Sequence, residues 1–169
     1  MNALELLKSR RSIRKYKSQP VEPEKIEQCL EAARWAPSAS NKQPWEFLIV
    51  TDAEKRKKLA EIHPYGKFAS ESPVVFIPLT NPEIHPKYHH ADTALATLHF
   101  MIEAHSLNLG TCWAGVINSD IEPKVKELLK IPDHLKVLAL VAVGYANETP
   151  TSKRKPLESL VYNESYGLK

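Results

Sequence analysis

Glycine is scarce in this sequence, with five residues among 169, at Gly66, Gly110, Gly115, Gly144 and Gly167. None falls in a G-x-G-x-x-G or G-x-x-x-x-G-K pattern. That excludes a dinucleotide fingerprint and a P-loop, which hold phosphate on backbone N–H groups at a helix N-terminus. Cysteine is scarcer still: Cys29 and Cys112 stand far apart and outside any Cys-x-x-Cys spacing, so neither a disulfide framework nor a zinc ribbon is indicated, and a reducing compartment is expected. No apolar run reaches the roughly 20 residues of a membrane-spanning helix. No charged-then-apolar leader opens the chain, so the expected location is the cytoplasm, away from membranes. A large excess of one charge is missing too. Lys and Arg number 23 against 20 Asp and Glu, a net charge of +3, which suits a small anionic ligand better than a nucleic acid.

What is present describes a folded chain, with 43% hydrophobic and 25% charged residues, ordinary for a globular protein. With no repeat and no long linker, residues 1–169 are expected to form one domain, large enough to bury about 70% of the surface of the unfolded chain. Thirteen prolines punctuate it. "PEKIEQCLEAARWA" from Pro23 sets Ile26, Cys29, Leu30 and Ala33 at helical spacing, and Pro37 ends that helix. Trp35 falls opposite the apolar face, which leaves it facing either a partner subunit or the loop that follows. "WEFLIV" (45–50) and "PVVFIPL" (73–79) read as strands. Between them Thr51 and Glu54 predict a capping box opening the helix "AEKRKKLAEI". From Ala91 to Leu107 a helix is predicted with Ala91, Ala94, Leu95, Leu98, Met101 and Ile102 on its apolar face, central and buried. A shorter helix is expected over 122–130, and "KVLALVAVG" (136–144) as a fully buried strand.

With no glycine-rich cradle, an anion must be held by side chains. "RRSIRKY" (10–16) offers bidentate donors at Arg10, Arg11 and Arg14 around the Ser12 hydroxyl, and "KRK" (153–155) offers a second cluster near the other end of the chain. Solvated surface charge is the bland explanation for both, and a basic nucleic-acid arm a minor one, opposed by the lack of interleaved aromatics. A metal site has little support: Pro86 interrupts the helical face shared by His85 and His89, and beside His90 only Asp92 is a nearby carboxylate. Cys112 reads as a small buried thiol, and His99 and His105 as residues of the long helix.

Taken in order, "RRSIRKY", "APSASNKQPWEF", "LGTCWAG" and "VGYANETPTSKRKPLE" closely resemble the FMN-dependent nitroreductase family, and the resemblance runs from Leu4 to about Tyr162. It implies an α+β fold, a central mixed or antiparallel sheet flanked by helices with a long buried helix at the core of a homodimer, and one FMN in each subunit interface. By resemblance Arg10 and Arg154 hold the FMN phosphate, Ser12 the phosphate or ribityl chain, and Arg14 the polar pyrimidine edge, with Arg11 nearby. Pro37, Ser38, Ala39 and Asn41 match positions that contact the flavin of the other subunit, and Gln43 orders their loop. Ala114 and Gly115 fall where the family turns backbone N–H groups toward N5 and O4. Lys67 matches a lysine near N1 and O2. Ser152 departs from the pattern at the first of two basic phosphate positions, and Lys153 is assigned to compensate.

The resemblance further implies an oxidoreductase in which NADH or NADPH reduces FMN and a nitroaromatic, a quinone or another electron-poor acceptor then oxidises it, by a ping-pong scheme with no protein nucleophile and no metal. The rival expectation is a flavin-binding or basic partner-binding protein without substantial NAD(P)H turnover. Larger family members carry helices over the substrate pocket where this chain has only "TNPEIHPKYHH", so substrate specificity does not transfer.

Overall fold

The structure, a computed structural model, describes residues 2–168. It begins with helix α1 (Ala3–Ser9) and α2 (Pro23–Arg34), a short 3-10 turn (Ala39–Asn41), and strand β1 (Trp45–Val50). Then come α3 (Ala53–Ile62), α4 (Phe68–Glu71), β2 (Val74–Thr80), the long α5 (His89–Ser106) and β3 (Gly110–Gly115). The chain closes with α6 (Glu122–Leu129), β4 (Lys136–Val137), β5 (Ala139–Gly144) and a 3-10 turn (Leu157–Ser159).

The sheet runs β1-β2-β5-β3, with β4 also on β2, and every strand pair is antiparallel. All seven residues of β2 and all six of β5 are buried, because helices cover both faces and leave no side for polar alternation. Val75, Ile77, Leu140 and Ala142 face a layer that includes Leu59 of α3, Phe68 and Ala69 of α4 and Val125 of α6. Phe76, Val141 and Val143 face α2 and α5, where Phe76 and Phe100 stack with ring centroids 4.1 Å apart. The expected α+β architecture is therefore present.

Several local features depart from the expectations. Asp52, rather than Thr51, caps α3: its carboxylate accepts the Lys55 N–H at 2.8 Å, a charge-assisted bond that also suits the positive end of the helix dipole. The strand expected over 136–144 is split at Leu138. Its N–H donates to Pro78 on one side while its carbonyl accepts from Val116 on the other, so the backbone turns there. The segment Gly110–Gly115, to which the sequence assigns no element, is strand β3. Helix α5 starts two residues earlier than expected, and its face inside the chain is Thr93, Ala96, Thr97, Phe100, Met101 and Ala104. Leu95 and Leu98 of the predicted apolar face remain 41% and 43% exposed. Trp35 does not pack on the following loop. Its ring is 72% exposed and leans back on its own helix, with Nε1 donating to Glu31 at 2.7 Å and the Arg34 guanidinium 5.2 Å from the ring centre.

Candidate functional site

Helix α1 is closed at its start by a capping box, Asn2 accepting the Glu5 N–H and Glu5 accepting the Asn2 N–H. It ends at Ser9, and the arginine segment leaves it extended, along the outer edge of β3. Ser12 bridges Thr111, the Ile13 N–H donates to the Thr111 carbonyl at 2.9 Å, and Lys17 continues the contact by donating to Tyr145. Gly110 makes the approach possible, since a Cβ there would lie 2.6 Å from Ile13 Cγ1. Ile13 and Tyr16 turn into the core. Arg14 and Lys15 turn out, and the Glu148 carboxylate accepts both their backbone N–H groups.

The two basic clusters, far apart in sequence, meet in space. Arg10 is pulled below the usual guanidinium pKa, first by burial and then by the charges of Arg154 and Arg11. Its Nη1 is buried with no hydrogen-bond partner. Arg11 donates Nη1 to the Lys8 and Arg10 carbonyls at the end of α1. Arg154 donates to Ser152 Oγ and the Lys153 carbonyl, both at 3.0 Å, while Lys153 itself is exposed. A cavity of about 450 Å³ opens against Arg10 and Arg11, with His105, Gly110 and Thr149 among its walls. A smaller one lies between Arg11, Ser152 and Arg154. His105 Nε2 sits 2.7 Å from Ser9 Oγ; burial, then Arg10 and Arg11, push its pKa down. Two like charges beside a partnerless buried guanidinium suit a compact, multiply charged anion, and a phosphate fits that chemistry.

A third cavity, about 290 Å³, lies further along β3 between Arg14, His63, Tyr65, Cys112, Ala114 and Gly115. The ladder decides which backbone groups reach it. Ile13 bonds Thr111 from outside and the Val116 N–H donates to Leu138 on the inside, so by strand alternation Thr111, Trp113 and Gly115 face outward and Cys112 and Ala114 face β5. Of the two predicted backbone donors, Gly115 offers its N–H to the cavity; the Ala114 N–H is turned into the sheet. Burial raises the Cys112 thiol pKa, which keeps it protonated and poorly nucleophilic. Lys67 caps α4, exposed, one residue before the Phe68 that borders this cavity.

The loop residues Pro37, Ser38, Ala39, Asn41 and Gln43 gather elsewhere. Ser40, Asn41 and Gln43 have φ of 51°, 53° and 50°, the left-handed region that costs a non-glycine residue about 1–2 kcal/mol. The surroundings hold them there. The buried Asp92 carboxylate accepts the Ala39 N–H, Ser38 Oγ accepts the Gln43 N–H at 3.0 Å, and Gln43 Nε2 donates to the Asn41 carbonyl. Asp92 and His105 stand at opposite ends of α5, about 20 Å apart at 1.5 Å per residue. One chain thus keeps the loop at the end of α5 away from Arg10 and Arg11.

His63, Asp92 and Glu148 were missed by sequence reasoning as residues that shape the site. Each acts on backbone atoms, which leaves no side-chain pattern to find. Among the described residues no cluster of His, Cys, Asp or Glu could hold a metal ion. His89 instead bonds Thr80 Oγ1 at 3.0 Å and His90 Nδ1 at 3.1 Å. No helix of the described residues is long and apolar enough to cross a membrane.

The sequence profile described as "Nitroreductase family" matches residues 7–63 and 63–145. A Methanothermobacter thermautotrophicus protein with the provisional name NADH dehydrogenase/NAD(P)H nitroreductase is 35% identical over 156 residues, 90% of this chain and 82% of that protein. A Parabacteroides distasonis crystal structure under the same provisional name superposes with a TM-score of 0.93 at 31% identity, covering 96% of this chain and 98% of that one. The FMN-dependent nitroreductase of Clostridium difficile R20291 gives 0.84 at 32% identity, covering 96% and 97%. With the arginine segment, the outward-facing end of β3 and this agreement over nearly its full length, the chain belongs to the nitroreductase family.

Proposed function

We propose that the chain is an FMN-dependent oxidoreductase, active as a homodimer, that takes electrons from NADH or NADPH and delivers them to nitroaromatics, quinones or similar electron-poor molecules. The observation that carries this is the Arg10 Nη1, buried without a partner between Arg11 and Arg154, together with relatives named for FMN and for NAD(P)H. Bound FMN supplies the hydride acceptance and the electron transfer. The protein binds and orients. Arg10 and Arg154, with Ser12 and Lys153, hold the phosphate, and Arg11 braces that end of α1. Arg14 takes the pyrimidine edge, and Lys67 adds positive charge near it. Gly115 on β3 donates its N–H toward N5 and O4, and Ala114 keeps the strand in place through its ladder bond.

The dimer is supported by what one chain leaves incomplete. The loop from Pro37 to Gln43 is anchored at Asp92, about 20 Å along α5 from the His105 that feels Arg10 and Arg11, so a second copy is the natural source of the loop that completes the site. The stripe of α5 carrying Leu95 and Leu98 is exposed, spaced as an apolar helix face that wants a partner. Trp35, exposed just before the loop, belongs to the same proposed contact.

Visible spectroscopy of the purified protein tests the function. Flavin bands that bleach on anaerobic addition of NADPH or NADH, and recover with a quinone, are expected. Parallel lines in double-reciprocal plots of donor against acceptor would fit the ping-pong scheme. A protein that stays colourless after incubation with FMN refutes the site, and flavin bands that no nicotinamide bleaches favour a flavin-binding role without turnover.

A further inference from the structure

His63 follows the last residue of α3 with its ring buried, 6% exposed, between two backbone groups. The Tyr65 N–H donates to Nδ1 at 3.1 Å, which requires that Nδ1 carry no proton. The neutral ring therefore has its proton on Nε2, and Nε2–H donates to the Gly115 carbonyl at 2.9 Å. The chain can close over the imidazole because residue 66 has no side chain: a Cβ on Gly66 would lie 2.6 Å from His63 Cβ. The turn is then fastened by the Gly66 N–H donating back to the His63 carbonyl at 2.9 Å.

In an extended residue the N–H and the C=O point to the same side of the strand. The bond that holds the Gly115 carbonyl therefore also sets the aim of the Gly115 N–H. Gly115 ends β3, exposed; its neighbours Ala114 and Val116 are held from the β5 side by the ladder and by the Val116 N–H donating to Leu138, and His63 supplies the bond from the outer side. The same imidazole seats Tyr65, 82% exposed, on the wall of the cavity that Gly115 and Phe68 also border.

We infer that His63 is a positioning residue: as the Nε2–H tautomer it fixes the direction of the Gly115 N–H and clips the turn of residues 63–68 to β3. The flavin consequence rests on the FMN reading above. Glutamine places an amide nitrogen near the Nε2 position and keeps a donor for Gly115. Asparagine is too short, and keeps only the local acceptor for Tyr65.

The test has a flavin-free arm and a flavin arm. Long-range 15N–1H NMR of the FMN-free protein should show His63 as the neutral Nε2–H tautomer; the Nδ1–H tautomer or a doubly protonated ring would overturn the inference. With FMN, H63N is expected to weaken binding about five- to tenfold, the worth of one hydrogen bond, and to shift the flavin reduction potential and visible maxima, while H63Q stays within about twofold of the parent. Equal potentials in H63N and the parent, or equal loss in H63N and H63Q, would overturn it. A parent protein that takes up no FMN refutes the flavin reading instead, and the tautomer still decides the link to Gly115. Should H63N fail to fold, H63Q and the tautomer measurement carry the test.

Discussion

A guanidinium nitrogen that has left water and met no acceptor raises the free energy of the fold, and Nη1 of the half-buried Arg10 is in that position. Arg154 and Arg11 nearby add repulsion. Such an arrangement makes sense where a ligand supplies the missing charge, and it leads to an unusual pairing of effects. Replacing Arg10 by methionine keeps the length of the stem and removes the unpaired charge. The FMN-free variant should melt at the same temperature as the parent or higher, by differential scanning calorimetry. Its FMN affinity should fall by about 10–100-fold, the worth of one or two charge-assisted hydrogen bonds. A variant that binds FMN as the parent does would remove Arg10 from the phosphate site. The two basic clusters, 10–16 and 153–155, were legible in the sequence because guanidinium and ammonium groups are the donors left when glycine-rich loops are absent; the choice of Arg10 and Arg154 within them came from the family resemblance. His63 and Glu148 were not, because a side chain that grips a backbone atom follows no spacing rule, and its partner could have been any residue.

At the scale of elements, α5 shows what a periodicity argument can and cannot give. The helix was legible, but of the predicted apolar face Met101 alone is among the residues buried inside the chain. Inside the chain the contacts fall to Thr93, Ala96, Thr97, Phe100 and Ala104, small or aromatic residues that let α2 and the sheet come close. The larger aliphatic residues Leu95 and Leu98 are left to solvent. An apolar stripe says that a surface is to be covered and is silent on whether the same chain covers it. The double variant L95K/L98K should therefore keep the fold by circular dichroism, elute as a monomer in light-scattering chromatography, and lose FMN. A dimer in that variant would place the contact elsewhere. Strand β3 escaped sequence analysis for a related reason: a six-residue strand bounded by Gly110 and Gly115 has the punctuation of a loop.

Across the whole molecule, acidity should be the sensitive variable. His89 at the start of α5 is pushed below the ordinary histidine pKa by burial and then by His90, and His105 near its end by burial and then by Arg10 and Arg11. A lowered pKa in the folded state means that the unfolded chain binds more protons, so stability rises with pH. The loss begins as pH falls through the unfolded histidine value of about 6.5 and is complete below the folded values. Thermal unfolding of the FMN-free protein should shift downward between about pH 7.5 and pH 5. H89Q and H105Q should each flatten that slope, while a variant with the parent's slope would exclude its histidine.

The edge of β3 has a consequence for the life of the empty protein. Thr111 is paired by the arginine segment, whereas the outward backbone groups of Trp113 and the Gly115 N–H are left without a strand beside them. An open strand edge is a template for any other extended chain, and natural proteins blunt such edges with charge, with bulges or by covering them. Under the proposed function the cover would fall to the ligand. A flavin lying along that edge would act as a removable cap, so the cofactor-free chain would be the form exposed to edge-to-edge aggregation, and cofactor supply would govern solubility as well as activity.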